Sequence, residues 1–260
     1  MYQLLDSGYG QKLERFGSVV LIRPAPQASW HPVLPLEQWE QADGCFMPEQ
    51  GWGFRNPTEP QWYLTVGLQK FLLRYSESGQ VGIFPEQIPL WEKIRACPVK
   101  KALNLFAYSG GSSLAAALGG AEVTHIDASK TAVKWAQENA ALNYVSLRTR
   151  VDDVMTYCQR ACRRQERYDA IILDPPSFGK GTDSKHFCLN RDLEPLLKLC
   201  KTLHTGQGYL LLSCHTPGYT AEKLTQLLAQ EFSGTNLISG DLYLPGPLNL
   251  PSGAYVFAYF

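Results

Sequence analysis

The sequence of 260 residues lacks any apolar run near the roughly 18 residues that a membrane-spanning helix needs. Its N-terminus has no basic segment followed by an apolar core, so no secretory signal is predicted. The seven cysteines are scattered and include no Cys-x-x-Cys pair, which argues against a disulfide framework. The five histidines are dispersed and form no metal-binding pattern. These absences predict a cytoplasmic protein with reduced thiols, no membrane contact and no bound metal.

The chain also lacks an excess of charge, since 24 Lys and Arg balance 24 Asp and Glu. Proteins dedicated to nucleic-acid binding are usually basic, so the neutral balance argues against a large nonspecific RNA surface. The length allows one large domain, or a large domain with a small one. The oligomeric state is open.

Two regions of different composition predict two domains. Residues 1–85 are rich in Trp, Pro and Gly, and short runs such as Ser18–Arg23 and Trp62–Val66 predict strands between turns, hence a small β-rich domain. Residues 86–260 form the second predicted domain. It opens with an amphipathic helix over Glu86–Ala96.

The second domain alternates strands and helices, which predicts a parallel sheet covered on both faces. Predicted strands are Ala102–Ala107, Val123–Asp127, Val145–Arg150, Ala170–Asp174 and Gly208–Cys214, and the apolar runs Asn236–Tyr243 and Ala254–Phe260 complete the sheet edge. Predicted helices are Ser112–Leu118, Ser129–Asn143, Asp153–Glu166 and Asp192–Leu203, with Ser129 and Asp192 as N-caps.

The most informative stretch follows the first of these strands. It is the small-residue turn Tyr108-Ser109-Gly110-Gly111, where glycine lets a backbone approach a ligand closely. The turn lacks the G-x-G-x-x-G spacing of dinucleotide sites and a P-loop lysine. Asp127 ends the next strand, where a carboxylate can accept the hydroxyls of a ribose. The alternatives are a plain tight turn and a helix cap.

Acidic residues also follow the third strand. One of Asp152 and Asp153 could accept a hydrogen bond from an adenine amino group while the other caps the helix. Asp153 is preferred for the adenine.

The most specific short motif follows the fourth strand and reads Asp174-Pro175-Pro176-Ser177-Phe178. Two prolines stiffen the loop, so the Asp174 carboxylate and its neighbouring carbonyls are held at the sheet edge. A planar base could stack on Phe178 while its polar edge meets Asp174. The alternative is a structural turn. The motif supplies the catalytic candidates Asp174, Pro175, Pro176 and Phe178.

Cys214 ends the fifth strand, next to His215. A thiol there could attack C6 of a pyrimidine and so activate C5 for methylation, which makes Cys214 a further catalytic candidate. A small buried apolar residue is the equal alternative.

Two groups of basic residues could contact phosphates. Lys180, Lys185 and Arg191 lie in or beside a polar loop that could equally be an exposed segment without a ligand. A helix carries an arginine cluster that could instead be a solvated face: Arg160, Arg163, Arg164 and Arg167.

Residues 100–260 resemble the class I S-adenosylmethionine-dependent methyltransferases. The carrying residues are the run Leu103–Gly111, Asp127, Asp152-Asp153-Val154 and Asp174–Gly179. Within that class the chain resembles the 23S ribosomal RNA methyltransferases that modify cytosine C5 or guanine. Gly82–Gln87 and Lys12–Gly17 extend the similarity over nearly the whole chain.

The resemblance implies a Rossmann-like α/β fold with a seven-stranded sheet of order 3-2-1-4-5-7-6 and an antiparallel last-placed strand. It implies S-adenosylmethionine as cofactor, with the Tyr108–Gly111 turn at the methionine part, Asp127 at the ribose and Asp153 at the adenine. Asp174 would face the acceptor near the methyl group, and Gln87 would close the pocket. The other implied contacts are Phe106, Ala128 and Asp152.

Two departures from that group leave the target atom open. The chain starts without the PUA-type RNA-binding module of several members, and Cys214 is followed by His215-Thr216-Pro217 where C5 enzymes have a Ser-Cys-Ser motif. Methylation of a base in ribosomal RNA, at C5 or at a purine nitrogen, is the first hypothesis. The alternatives are a protein or metabolite methyltransferase, a non-catalytic RNA- or nucleotide-binding protein and, more distantly, a nicotinamide dehydrogenase.

Overall fold

The computed structural model of the protein describes residues 1–55, 59–179 and 187–260. The chain divides into two compact units: Met1–Glu86 with Tyr243–Ser252, and Gln87–Leu242 with Gly253–Phe260. The segment 243–252, which the sequence groups with the second domain, thus belongs to the first unit. Lys180 and Lys185 of the polar loop lie outside the described residues.

The first unit is β-rich. Its elements are β1 (Tyr2–Gly8), β2 (Gln11–Phe16), β3 (Val19–Pro24), α1 (Leu36–Trp39), β4 (Gly44–Met47), β5 (Gly51–Phe54), β6 (Gln61–Val66) and β7 (Gln69–Arg74). Strands β1 to β5 form a sheet in chain order, antiparallel except for the parallel pair β3 and β4, and β6 and β7 form a hairpin.

A buried ionic cluster lies in the sheet of the first unit. The Glu14 carboxylate accepts hydrogen bonds from Arg23 Nε at 2.8 Å and from the Tyr2 hydroxyl at 2.9 Å, and Lys12 Nζ lies 3.3 Å away. Burial alone raises the pKa of Glu14, but the charges of Arg23 and Lys12 outweigh it and hold the pKa below its usual value. The buried carboxylate is therefore fully partnered, as burial of a charge requires.

The second unit contains the larger sheet, except for residues 243–244 and 250–252, which belong to the first unit. Its strands are β8 (Lys101–Leu105), β9 (Glu122–Asp127), β10 (Leu147–Val151), β11 (Tyr168–Leu173), β12 (Phe178–Gly179), β13 (Phe187–Cys188), β14 (His204–Cys214), β15 (Asn236–Leu244) and β16 (Leu250–Tyr259). Seven of the described strands pair in the order β10-β9-β8-β11-β14-β16-β15, and β12 pairs with β13. Strand β16 runs antiparallel to β14. The expected order 3-2-1-4-5-7-6 is confirmed.

Helices alternate with the strands of the second unit. They are α2 (Ile88–Ala96), α3 (Gly111–Leu118), α4 (Lys130–Leu142), α5 (Val154–Arg163), α6 (Leu189–Leu203) and α7 (Ala221–Glu231). Strand β11 and residues 209–214 of β14 are mostly apolar and almost wholly buried, as expected for strands covered on both faces. No described helix combines the length and hydrophobicity needed to span a membrane.

The caps of two predicted helices had different outcomes. Ser129 accepts a hydrogen bond from the Ala132 N–H at 3.2 Å, so its predicted role as an N-cap is confirmed. The predicted N-cap role of Asp192 is wrong because α6 begins at Leu189. Asp192 lies in the first turn of α6, where its carboxylate accepts the N–H of Cys188 at 2.8 Å.

Helix α7 was not predicted from the sequence. Thr220 caps it by accepting the Lys223 N–H at 3.3 Å, and Leu224 and Leu228 bury one face. The threonine cap followed by apolar residues four apart was the available signal.

Candidate active site

The functional residues gather at one edge of the sheet. Strands β10, β9, β8, β11 and β14 are mutually parallel neighbours, so their carboxyl ends share that edge. The side chains proposed from the sequence lie at or just after these ends. Ligands of open α/β sheets bind in this position.

The turn after β8 has an unusual backbone. Phe106 and Tyr108 have positive φ angles of 57° and 46°, and Gly110 has 94°. Left-handed backbone is uncommon outside glycine and tends to mark functional turns. The turn is fixed by hydrogen bonds from the Ala107 N–H to Ile126 O at 3.0 Å and from the Gly110 N–H to Ala107 O at 3.0 Å.

Buried polar side chains support this turn. Asn139 on α4 donates to the Ser109 carbonyl at 2.9 Å. Asn104 donates to Ser113 Oγ at 2.9 Å, and that oxygen lies 3.0 Å from His125 Nδ1. All five residues are buried, and burial lowers the pKa of His125 to about 4, so its imidazole is neutral near pH 7. Of these five, only Ser109 was identified from the sequence.

Asp127 is fixed by the backbone on both sides of it. Its Oδ2 accepts the Tyr108 N–H at 2.8 Å and its Oδ1 accepts the Ser129 N–H at 2.8 Å. Burial raises its pKa, and these two hydrogen bonds only partly offset that effect. Because Ser129 provides the helix cap, Asp127 is not needed for it. Ala128 is half-buried between them.

The structure assigns the helix cap after β10 to Asp153, whereas the sequence favoured Asp153 for the adenine and left the cap to Asp152. Asp153 is the N-cap of α5 and accepts the Thr156 N–H at 2.8 Å. Asp152 accepts a hydrogen bond from Arg160, and its own N–H donates to the Asp127 carbonyl at 3.0 Å. The expectation that Asp152 caps the helix is therefore wrong. Asp153, with its extended backbone, occupies the N-cap position directly before the first turn of α5.

Asp174 lies at the centre of a polar cluster after β11. Its Oδ1 accepts a hydrogen bond from the Ser213 hydroxyl at 2.8 Å and lies 3.2 Å from His215 Nε2. Its Oδ2 accepts a hydrogen bond from Gln87 Nε2 at 3.2 Å. The Gln87 amide also donates to Ser213 Oγ at 3.2 Å and lies 3.1 Å from His215 Nε2. Three side chains from two separate segments thus hold one carboxylate.

The electrostatics of this cluster keep Asp174 ionised. Burial raises the pKa of Asp174, but the charge of His215 and hydrogen bonds from His215 and Ser213 outweigh it, so the pKa is lowered. Ser213 and His215 were not identified as site residues from the sequence. Their signal was the two-residue period of a strand, which points 213 and 215 to one face and Cys214 to the other.

The segment after Asp174 presents an exposed ring. Pro175 is buried and Pro176 exposed, and Ser177 Oγ lies 2.7 Å from Thr216 Oγ1. Phe178 is 77% exposed although it is a large apolar side chain. In contrast to Phe178, the ring of Phe187 is buried, and Phe106 packs against it at a centroid distance of 4.8 Å.

Cys214 has the surroundings of a core residue. It is fully buried within the main apolar core of the second unit, and burial raises the pKa of its thiol. A nucleophilic cysteine needs access and a stabilised thiolate, so both observations favour the alternative of a small buried apolar residue over the nucleophile. The sequence left the two roles open because the strand register decides which face a side chain occupies.

The basic residues are partly paired. Arg191 forms a two-pronged pair with Asp192, with N–O distances of 2.7 and 2.8 Å. Arg160 is held by Asp152, whereas Arg163, Arg164 and Arg167 are exposed. Within the described ranges, no group of three or more His, Cys, Asp or Glu residues is arranged to hold a metal ion.

Comparisons with known proteins extend over most of the chain. The family model described as S-adenosylmethionine-dependent methyltransferase matches residues 50–241. The crystal structure of a SAM-dependent methyltransferase from Agrobacterium tumefaciens is 34% identical, covers 99% of this chain and 90% of its own, and superposes with a TM-score of 0.93.

Two curated relatives match over shorter regions. Bacillus subtilis (strain 168) YwbD, provisionally named a ribosomal RNA large subunit methyltransferase, is 32% identical over 65% of this chain and 44% of its own length. Ribosomal RNA large subunit methyltransferase K/L of Pseudomonas entomophila (strain L48) is 34% identical over 61% of this chain and 22% of its own. The matched region thus spans less than half of either relative.

Proposed function

Because this chain belongs to the S-adenosylmethionine-dependent methyltransferase family, we propose that it methylates a base of large-subunit ribosomal RNA, at a nitrogen rather than at C5. The carrying observation is the fixed, ionised Asp174 carboxylate four residues before the exposed ring of Phe178. S-adenosylmethionine, when bound, supplies a methyl group on a positively charged sulfonium. The chain's own residues hold and orient the two reactants.

The residues at the sheet edge fit this cofactor. Each Asp127 oxygen accepts one backbone N–H, and an ionised carboxylate has roughly four acceptor positions. Both oxygens therefore retain capacity for the hydroxyls of a ribose. Asp153 uses Oδ1 for the helix cap, and we assign its second oxygen to the adenine amino group.

The turn after β8 suits the methionine part of the cofactor. Side chains at Gly110 and Gly111 would point at Ala136 and Trp91, so the two glycines permit the close packing that shapes this turn. The strained turn is held by Asn139 and therefore does not need to be ordered by the ligand. The proposed cofactor contacts are completed by Phe106, Tyr108, Ser109, Ala128, Asp152, Asp174 and Gln87.

Asp174 and Phe178 together suit a planar polar acceptor. Ser213, His215 and Gln87 occupy three of the roughly four acceptor positions of the Asp174 carboxylate. The remaining position can accept an N–H from the edge of a base, with Pro175 supplying a neighbouring carbonyl. An exposed aromatic ring is the usual platform for an unstacked base, and Pro176 stiffens the loop between the two. Their work is orientation, which can lower a barrier by several kcal/mol.

The position of Cys214 favours a nitrogen acceptor. Methylation at C5 of a pyrimidine needs a covalent adduct at C6, and the buried thiol with its raised pKa opposes that step. A base nitrogen needs no such adduct. The choice of ribosomal RNA is supported by the names of YwbD and the K/L enzyme.

Methyl transfer to RNA tests the proposal directly. We would incubate the protein with methyl-labelled S-adenosylmethionine and RNA from cells that lack it, then digest the RNA to nucleosides. Label in an N-methylated base is expected. Label found only in protein or metabolites would contradict RNA as the substrate but would remain consistent with S-adenosylmethionine as the cofactor.

Phe178→Ala tests the stacking platform. Loss of one base–aromatic stack costs about 1–3 kcal/mol, so KM for RNA is expected to rise roughly 5- to 160-fold. Tyr144→Ala is the matched control because Tyr144 is 93% exposed on the same unit. Equal effects of the two substitutions would contradict a specific role for Phe178.

Cys214→Ala tests the target atom. If the acceptor is a nitrogen, we expect turnover to stay within about threefold of the wild type, because the thiol takes no part. Abolished turnover in a folded variant, together with label at C5, would reverse this part of the proposal.

A further inference from the structure

A second polar site lies at the opposite edge of the same sheet. A cavity of about 260 Å³ opens where the parallel strands begin, with Lys101, Glu122 and Tyr168 at the first positions of β8, β9 and β11. Asp127 and Asp174 lie at the other ends of β9 and β11. A strand of five or six residues separates the two edges by about 16–20 Å.

The cavity is lined by an excess of cations. Its positive side chains are Lys101, Arg148, Arg150, Arg164 and Arg167, against two carboxylates, Glu122 and Glu166. The excess is local, because the chain as a whole has no net charge. It also includes two members of the arginine cluster that the proposed active site does not use.

The two carboxylates are already engaged. Glu122 lies 3.6 Å from Arg148, and both side chains are more than half exposed, so the pair is weak. Glu166 accepts the hydroxyls of Tyr168 at 2.7 Å and Tyr157 at 3.3 Å and lies 3.9 Å from Arg164. Its charge is therefore shared with two neutral donors on the cavity wall.

Arg150 and Arg167 are the uncompensated cations. Each guanidinium donates to a backbone carbonyl, Thr149 O at 2.9 Å and Glu166 O at 3.1 Å. Among the residues that the structure describes, neither forms an ion pair. Guanidinium groups match phosphate oxygens with paired hydrogen bonds, so these two side chains suit a phosphate ligand.

We propose that this cavity and its rim bind phosphates of the RNA whose base is methylated at the other edge, an inference that rests on the proposed function. The cations are exposed and are spread over the start of β8, the second and fourth positions of β10, and the segment after α5. This arrangement suits successive phosphates of a folded RNA better than one enclosed anion. An RNA large enough to reach both edges is therefore the expected substrate.

The salt dependence of RNA binding tests this. We would measure the affinity of unmodified large-subunit ribosomal RNA by filter binding over a range of salt concentrations. The slope of log K against log salt is negative, and each lost phosphate contact reduces its magnitude by about 0.7–0.9. The double variant Arg150→Gln, Arg167→Gln is expected to reduce the magnitude of the slope by about 1–2. With a short oligonucleotide that carries only the acceptor base, the double variant and the wild type should show the same salt slope.

A double variant of equal charge loss provides the control. Lys134→Gln with Arg163→Gln removes two exposed charges, on α4 and α5, that do not line the cavity. Its slope is expected to match the wild type. Unchanged affinity for S-adenosylmethionine verifies that both variants are folded.

Two outcomes would overturn the inference. One is an equal slope for all three proteins. The other is saturable binding of inorganic phosphate that is lost in the Arg150→Gln, Arg167→Gln variant while its RNA slope is unchanged, which would make the cavity a site for a small anion. Because binding is measured without methyl transfer, RNA that is bound but not methylated would contradict only the proposed function.

Discussion

At the scale of single residues, Asp174 shows how burial and partners compete. Burial by itself favours the neutral acid, yet the charge of His215 and the hydrogen bonds from His215 and Ser213 favour the carboxylate. The lowered pKa means that the group is charged throughout the neutral range. Its charge is then available, in a fixed direction, for an acceptor base.

Asp174→Asn is expected to lower turnover by about 100-fold or more, since a preorganised polar group at a reacting centre contributes on that scale. The lowered pKa implies that Asp174 itself adds no pH dependence between pH 6 and 9, and that activity falls only as pH drops through that pKa. Single-turnover rates of methyl transfer would measure both. Ser213→Ala, which removes one donor and no charge, should cost less. A rate for Asp174→Asn within threefold of the wild type would remove Asp174 from the proposed site.

At the scale of elements, the turn between β8 and α3 is the most constrained segment of the site. Three of its residues have left-handed backbone, and a side chain at Gly111 would collide with the ring of Trp91. Asn139 on α4 holds the turn from another helix. The strain is therefore maintained by packing and hydrogen bonds from neighbouring elements.

Gly110→Ala is expected to lower the affinity for S-adenosylmethionine at least tenfold. Its φ is 94°, and a Cβ would lie 3.2 Å from the Ala136 Cβ, so the turn must shift. Gly120→Ala is the control: its φ is 95° and a Cβ would meet no atom within 4 Å. Both variants should lose about 1–2 kcal/mol of stability from the left-handed backbone. Calorimetric titration would reveal whether only Gly110→Ala weakens the cofactor, and equal affinities would contradict our assignment of the turn.

At the scale of the whole molecule, two polar networks are buried in different units. Glu14 with Arg23 belongs to the first unit, and His125 with Ser113 and Asn104 to the second. The hydrogen bonds of each network reduce the free-energy cost of burying these polar groups in its unit. Their titration therefore links global stability to pH.

His125 is expected to make unfolding of the second unit pH-dependent between pH 6.5 and 4. Its pKa is about 4 when folded and about 6.5 when unfolded. In that range the unfolded chain binds the additional proton, so the stability contributed by neutral His125 is lost as pH falls, by about 3 kcal/mol in total. Urea unfolding of the wild type and His125→Gln at several pH values would measure this.

The wild type and His125→Gln share all other titratable groups, so the contributions of those groups to the pH dependence cancel in the difference between the two proteins. His125→Gln should be less stable than the wild type at pH 7, and the gap should narrow by about 3 kcal/mol towards pH 4. A gap that is independent of pH would contradict the buried, neutral state of His125.

Local patterns were enough to predict most of the second unit. Strand and helix alternation predicted a parallel sheet covered on both faces, and the family resemblance implied the strand order that the structure confirms. The Ser129 cap was predicted because its hydrogen bond lies within four residues. The start of α6 was missed because tertiary burial of Leu189 decides it. Helix α7 was missed although its local signal, the Thr220 cap before Leu224 and Leu228, is present in the sequence.

The sequence by itself determined the family, the fold class and the strand ends that carry Asp127, Asp153 and Asp174, because these depend on order along the chain. Only the tertiary structure decided which side chains meet. It assigned the α5 cap to Asp153, joined Gln87, Ser213 and His215 to Asp174, and buried Cys214. Contacts between residues 39, 87 or 126 positions apart depend on strand register and packing, which no local pattern encodes.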